Sequence, residues 1–329
     1  MEVLVTGGAG YIGSHVAYGL LDSGYKVTVI DDLSTGNKNL IPAKSEFLNC
    51  NINDNEKIES LLKIKKFVAL MHFAGFVEVE ESVSNPEKYF ENNTTNSIKL
   101  FDLCLKNGLS NIIFSSTATV YGNPTHKGLV SETDNIRPIN SYGESKVRTE
   151  HYLQQFDSNK INYIILRYFN VAGADPGMRS GLIKKNPTHL IKIASEAAIG
   201  KRGGVQIFGN DYNTPDGTPI RDYIHVSDLA DIHIKALQFL LEKKQSEIFN
   251  CGYGKGYSVK DVLNVTNSLC KNRINILNAP RRPGDAEMVV SDIGKLKRMI
   301  DWTPKYNKLD FIIKTAIDWE LKLQNEQIS

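Results

Sequence analysis

Cysteine is scarce in this sequence. Cys50, Cys104, Cys251 and Cys270 are the only four among 329 residues, and no two form a C-x-x-C pair. That excludes a structural zinc site of the usual spacing and a disulfide scaffold, and it leaves buried thiols of a reducing compartment as the expectation. No apolar run approaches the ~20 residues that span a bilayer. Neither sign of charge prevails: 39 Lys and Arg stand against 37 Asp and Glu, a net charge of +2. There is therefore no electrostatic case for a nucleic-acid or membrane partner, while a small anion needs only a few basic groups. No internal repeat, low-complexity tract or signal peptide is visible, and the expected location is cytoplasmic.

What is present is ordinary globular material, 41% hydrophobic and 23% charged. At this length two intimately joined domains are expected. Buried strands are expected at 3–5, 26–30, 67–72, 111–114 and 163–166, with amphipathic helical segments at 12–21 and 94–106 between them. Strand alternating with helix means a doubly wound parallel sheet. The rhythm breaks near Asn170, and Pro and Gly cluster at 175–181, 203–219 and 280–284. The reading is α/β: a Rossmann-type domain over 1–170, to which 222–241 returns, and a smaller α+β substrate-binding domain over 171–329.

The opening V-T-G-G-A-G-Y-I-G at 5–13 satisfies both G-x-G-x-x-G (Gly8, Gly10, Gly13) and T-G-x-x-G-x-x-G (Gly7, Gly10, Gly13). It follows a strand and opens a helix, so the glycines permit close approach of a pyrophosphate to the helix N-terminus. The next strand ends in Asp31-Asp32, and a carboxylate there accepts the adenosine ribose hydroxyls and repels a 2′-phosphate. The expected cofactor is NAD, not NADP, and no metal is expected.

Tyr142 and Lys146 form Y-x-x-x-K, which a helix would stack on one face. A free tyrosine titrates near ~10, so service as a base near neutrality needs a shift of roughly three units, about 4 kcal/mol. Lys146 and a positive nicotinamide ring would both favour the phenolate. The strand 111–114 runs into Ser115-Ser116-Thr117, placing hydroxyls at the carboxyl edge of the sheet, where ligands of open α/β sheets sit.

Together these features resemble the extended short-chain dehydrogenase/reductase superfamily. Finer motifs resemble the UDP-glucose 4-epimerase family within it. They are V-T-G-G-A-G-Y-I-G-S-H at 5–15, H-F-A-G at 72–75, S-S-T-A-T-V-Y-G at 115–122, R-Y-F-N-V-A-G at 167–173, I-F-G-N-D-Y at 207–212 and R-D-Y-I-H-V at 221–226. The likeness runs from residue 3 to about 302. It implies transient oxidation at C4 of a UDP-sugar by tightly held NAD, through a 4-keto sugar that turns over in the pocket. Tyr142 would be the base, Lys146 would hold the nicotinamide ribose, and Thr117 would bond the 4-oxygen.

The resemblance further places Gly7, Gly10, Tyr11, Ile12, Gly13, Asp31, Asp32, Asn51 and Ile52 around NAD, with Phe73, Ala74, Gly75, Asn93, Ser115 and Tyr168. It places Asn170, His189, Leu190, Phe208, Arg221, Arg282, Asp285 and Val289 around the substrate, with Phe208 beside uracil and the two arginines on the diphosphate. Three positions depart from the family pattern. Asn51 replaces an Asp that contacts adenine, and Val77 replaces a Lys near the cofactor. Val289 replaces a bulky Tyr against the sugar, leaving room for a 2-N-acetyl group.

The likeness also implies a homodimer through a helix bundle of 93–106 and 145–156, with Ile98, Phe101, Leu105, Val147, Tyr152 and Leu153 compatible with such a face or with plain core. Dehydratases of this fold carry Asp-Glu where Ala118-Thr119 stand here. Other sugar 4-epimerases, such as one acting on UDP-uronates, and a non-catalytic NAD-binding regulator stay open as alternatives.

Overall fold

Val3 and Val5 turn to one face of the first strand and Leu4 to the other, and all three are fully buried. The same alternation divides Ile113 from Ile112 and Phe114, and Ile164 and Leu166 from Ile165. A strand wetted on neither face needs apolar residues at every position, hence the unbroken runs. The computed structural model describes residues 1–124, 128–156, 160–270, 273–282 and 284–326; Pro283, in the third Pro/Gly cluster, lies outside them.

In chain order the strands are β1 (Glu2–Thr6), β2 (Lys26–Asp31), β3 (Glu46–Asn49), β4 (Ala69–His72), β5 (Asn111–Thr117), β6 (Asn162–Tyr168), β7 (Asn170–Ala172), β8 (Val205–Phe208), β9 (Ile220–His225), β10 (Glu247–Cys251), β11 (Gly256–Ser258), β12 (Ile276–Ala279) and β13 (Met288–Val289). Seven of them form one parallel sheet in the order β10-β6-β5-β4-β1-β2-β3. The order reverses between β1 and β4, which opens a crevice beyond the carboxyl ends of the strands. Helices Tyr11–Asp22 and Val226–Lys243 cover one face through Val16, Leu20, Leu229, Ile232 and Leu237. Helices Asn55–Ile64, Ser97–Lys106 and Ser141–Gln154 cover the other through Ile58, Leu62, Leu100, Phe101 and Leu153.

A smaller sheet is built around β9, with β11 antiparallel to it and β7 and β13 parallel. Helices Leu190–Ala198, Val259–Leu269 and Leu309–Asn325 pack beside it through Ile191, Val262, Ile312 and Ile313. β8 and β12 pair on their own. Only Phe169 separates β6 from β7, so the chain passes from the large sheet to the small one without a loop.

Sequence and structure differ in three places. The runs expected at 111–114 and 163–166 extend to Thr117 and Tyr168. β3 and β10 were not anticipated, because Glu46–Asn49 and Glu247–Cys251 each hold too few consecutive apolar residues to signal a strand. The segment 222–241 is split: its first residues stay in β9 of the small sheet, and only the following helix packs on the large one.

Candidate active site

The turn after β1 is closed by backbone. Gly7 N–H donates to Ile30 O at 2.8 Å, and Gly10 N–H to Gly7 O at 3.1 Å. Gly7 has φ +72°, and a Cβ on it would lie 2.5 Å from Ala74 N, so only glycine fits. A Cβ on Gly13 would lie 2.2 Å from Gly7 O. The helix Tyr11–Asp22 that follows carries no side-chain cap and no acidic residue in its first turn. Its first amides thus lack the carboxylate or hydroxyl that normally satisfies such an end, which is the donor chemistry a pyrophosphate requires.

Asp31 closes the same turn, accepting from Ala9 N–H at 2.9 Å and Leu33 N–H at 2.8 Å. Burial raises its pKa more than these two bonds lower it. At Asp32 burial acts in the same sense, but hydrogen bonds from Ser34 and Asn51 prevail and hold the carboxylate low. Asn51 is engaged on both sides: its amide donates to Asp32 Oδ2 at 2.5 Å, and its Oδ1 accepts from Asn53 N–H at 3.0 Å. Ile52 is buried beside it, while Val77 is 50% exposed. Glycine turn, uncapped helix end and carboxylate pair suit the adenosine diphosphate half of NAD.

The end of β5 meets the Ser141–Gln154 helix. Asn140 caps that helix, accepting from Gly143 N–H at 2.8 Å, so Tyr142 lies in its first turn. Lys146 is 3% exposed, donates to Ser115 O at 2.9 Å and sits 4.9 Å over the Phe114 ring. Burial drags its ammonium down to about 8, against the pull of the Glu150 carboxylate. Tyr142 is half-buried, and desolvation pushes its phenol up to about 12 in spite of a hydrogen bond with the Thr117 side chain. The i,i+4 spacing fixes which charges are near Tyr142, but not the loss of water that comes with them.

Asn93 joins the same group from a π-helical turn, Phe90–Asn96, a departure from α geometry frequent at functional sites. Its amide donates to Phe76 O at 2.9 Å and Ser145 Oγ at 3.2 Å and accepts from Phe76 N–H at 2.9 Å. A Cβ on Gly75 would come within 3.1 Å of Asn93 Oδ1 and 3.4 Å of Lys146 Nζ. Phe73 lies against His233, ring centroids 5.0 Å apart, and His233 also bonds the Tyr168 hydroxyl at 2.5 Å. Tyr168 is paired in register with Thr117.

The substrate candidates fall into three groups. Asn170, His189 and Leu190 line one cavity, together with the cofactor candidate Tyr11. The Arg282 guanidinium lies 3.8 Å over the Phe208 ring, while Arg281 stacks 4.0 Å over Tyr212 and bonds Asp211. Arg221 is ion-paired with Asp285, and its neighbour in register is Val289, which packs towards Val120, Tyr121, Val147 and Phe169. Of the six side chains considered for a dimer face, Phe101, Val147 and Leu153 belong to this chain's own core; Ile98, Leu105 and Tyr152 are half-buried.

Sequence reading missed the polar layer behind the site. His72 bonds Thr6 and Ser97 at 2.7 and 2.8 Å, and Glu150 is clamped by Ser116 and Arg167. For Glu150 a signal existed: it lies four residues beyond Lys146, as Lys146 lies four beyond Tyr142. His72 opens the H-F-A-G motif at 72–75, but a histidine ending an apolar strand gives no sign of which groups it bonds. Among the described residues no group of three His, Cys, Asp or Glu side chains is placed to hold a metal ion.

Residues 3–252 match the model of the NAD dependent epimerase/dehydratase family. A UDP-glucose 4-epimerase of Azospirillum brasilense is 45% identical over 324 residues, covering 98% of this chain and 93% of that protein. Among solved structures, the UDP-glucose-4-epimerase from Stenotrophomonas maltophila with bound NAD and formylated UDP-arabinopyranose superposes with a TM-score of 0.95 at 33% identity, covering 99% of both chains. The UDP-Glc/GlcNAc 4-epimerase from Campylobacter jejuni superposes with a TM-score of 0.86 at 42% identity, covering 98% of this chain and 99% of that one.

Proposed function

The chain belongs to the NAD dependent epimerase/dehydratase family, and from that premise we propose that it interconverts UDP-galactose and UDP-glucose by inversion at sugar C4. The observation that carries this reading is the convergence of Thr117, Tyr142 and Lys146 at the end of β5, in a chain whose first turn suits NAD. When bound, NAD supplies a reversible oxidant for C4 and a positive ring beside the phenol.

Tyr142 accepts the 4-hydroxyl proton and returns it, Thr117 holds the 4-oxygen, and Lys146 orients the nicotinamide ribose and adds positive charge. The amides of the Tyr11–Asp22 helix and the Asp31–Asp32 carboxylates hold the adenosine diphosphate half. Because the reaction is redox-neutral, the cofactor stays bound between turnovers.

The sugar must turn while its carrier stays fixed, so the anchors lie on the UDP. Phe208 offers a flat face for uracil, and Arg282, stacked 3.8 Å over that ring, brings a guanidinium beside it for the diphosphate. Arg221 is held by Asp285, and a diphosphate competes for that guanidinium, freeing the carboxylate for ribose hydroxyls. Asn170, His189 and Leu190 complete the wall.

A second reading, activity on UDP-GlcNAc and UDP-GalNAc, is favoured by Val289. It is a small side chain beside Arg221, and the Campylobacter jejuni relative is named for both sugars. The division into a cofactor domain over 1–170 and a substrate domain over 171–329, a homodimer through Ile98, Leu105 and Tyr152, and a cytoplasmic location belong to the same proposal. Among the described residues no helix is long and apolar enough to cross a membrane.

The decisive experiment is Tyr142→Phe assayed with UDP-galactose. Loss of the base lowers kcat by about 10²–10⁴ while bound NAD and the fold persist; a rate near wild type removes Tyr142 from this role.

A further inference from the structure

Three consecutive residues of β5 hold three residues spaced four apart on one helix. Thr117 bonds Tyr142, Ser115 O accepts from Lys146 at 2.9 Å, and Ser116 Oγ donates to Glu150. The third rung has no part in the proposed reaction, yet it is the most heavily built. Glu150 is 2% exposed and Arg167, on β6, is 3% exposed. Arg167 reaches both carboxylate oxygens, with Nη2 2.6 Å from Oε2 and Nε 3.1 Å from Oε1. Arg167 Nη1 then donates to the Tyr121 hydroxyl at 2.9 Å, which donates to Asn250 Oδ1 at 2.7 Å. A buried ion pair of this kind is seldom the most stable filling of a core, so its presence points to a positional or electrostatic task.

We propose that Glu150 is a positioning residue for the Tyr142–Lys146 pair: clamped by Ser116 and Arg167, it locks the Ser141–Gln154 helix in register with the end of β5 and keeps a carboxylate one helical turn from Lys146. The inference rests on the reading of Tyr142 as base and Lys146 as its cationic partner.

The groups facing this layer are few. Lys146 faces Glu150 on its own helix and His72 from β4, which burial keeps neutral with a pKa of about 3, and Tyr142 lies one turn before it. Glu150 meets Arg167 and Tyr163 from β6, and beyond Arg167 lie Tyr121 and Glu132. Of these, Glu150 is the one that favours the charged form of Lys146 against its burial. An ammonium that must stay charged gives activity a limb that falls at alkaline pH, and removing the carboxylate moves that limb to lower pH.

The test uses the full chain with its NAD, with UDP-galactose as substrate. Two measurements are made: the pH dependence of kcat and KM, and the melting temperature. Glu150→Gln is expected to leave KM unchanged and move the alkaline limb down by about one pH unit. Glu150→Asp, which restores the charge, is expected to bring the limb back towards wild type.

If Glu150→Gln alone does not fold, because Arg167 is left unpaired, Glu150→Gln/Arg167→Met removes both charges and is expected to show the same displacement. An unchanged pH profile in a folded variant overturns the proposal. So does a loss of kcat equal at all pH values, which is the mark of a purely structural role. An active Tyr142→Phe enzyme fails the underlying reading instead, and is scored separately.

Discussion

At the scale of the residue, Tyr142 shows how an active group is made difficult before it is made useful. Its phenol is pushed up to about 12 by burial, so the proposed role as base calls for positive charge beside the ring. Lys146 is the candidate for that charge, and burial draws its ammonium down to about 8 against the pull of Glu150. Val289 carries the residue-scale prediction on specificity. Val289→Tyr is expected to abolish turnover of UDP-GlcNAc while sparing UDP-galactose, measured by competing the two sugars in one assay. If purified wild type fails on UDP-GlcNAc at the outset, the second reading falls.

At the scale of the element, the placement of Tyr142 depends on one cap. Asn140→Ala removes the acceptor for Gly143 N–H and is expected to cost about 1 kcal/mol of stability. Because Tyr142 sits in that first turn, kcat should fall more than the small loss of stability explains; a fall in melting temperature with kcat intact would show the cap to be structural only. Elements were also where the sequence was most and least readable. The glycine turn was legible because each glycine answers a contact a Cβ could not survive, as Gly13 against Gly7 O does. β3 and β10 were not, because E-F-L-N and E-I-F-N-C are strands by virtue of their neighbours rather than their own pattern. The pairing of Arg221 with Asp285 and of Arg282 with Phe208 could not be read either, since it depends on loops whose paths no periodicity records. The Glu150 layer lay between these cases: the spacing was in plain view, but only the fold brings Arg167 and Ser116 to it.

At the scale of the whole molecule, buried imidazoles set a limit on the acid side. His15 and His233 are held down to about 4, and His72 and His225 to about 3, in each case chiefly by burial. Their pKa values in the unfolded chain are near ~6.5, so the unfolded state binds protons first as pH falls. The stability they permit is fully present above that value and is lost progressively below it, down towards pH 3–4. Denaturant melts from pH 8 to 5 are expected to be flat at first and then fall ever more steeply below about 6.5; a midpoint independent of pH over that range would contradict the buried, neutral state of these rings.

Phe169 gives the molecule its last property. It alone lies between β6 and β7, and its N–H is tied to Cys251 O at 3.1 Å. A swinging joint needs several free backbone torsions, and a single hydrogen-bonded residue does not provide them. The two sheets are therefore bolted, not hinged, along the line where Thr117, Tyr168 and Asn170 meet. A ligand in the crevice therefore meets a floor whose shape is set by the fold itself, along the shared line of β5, β6 and β7.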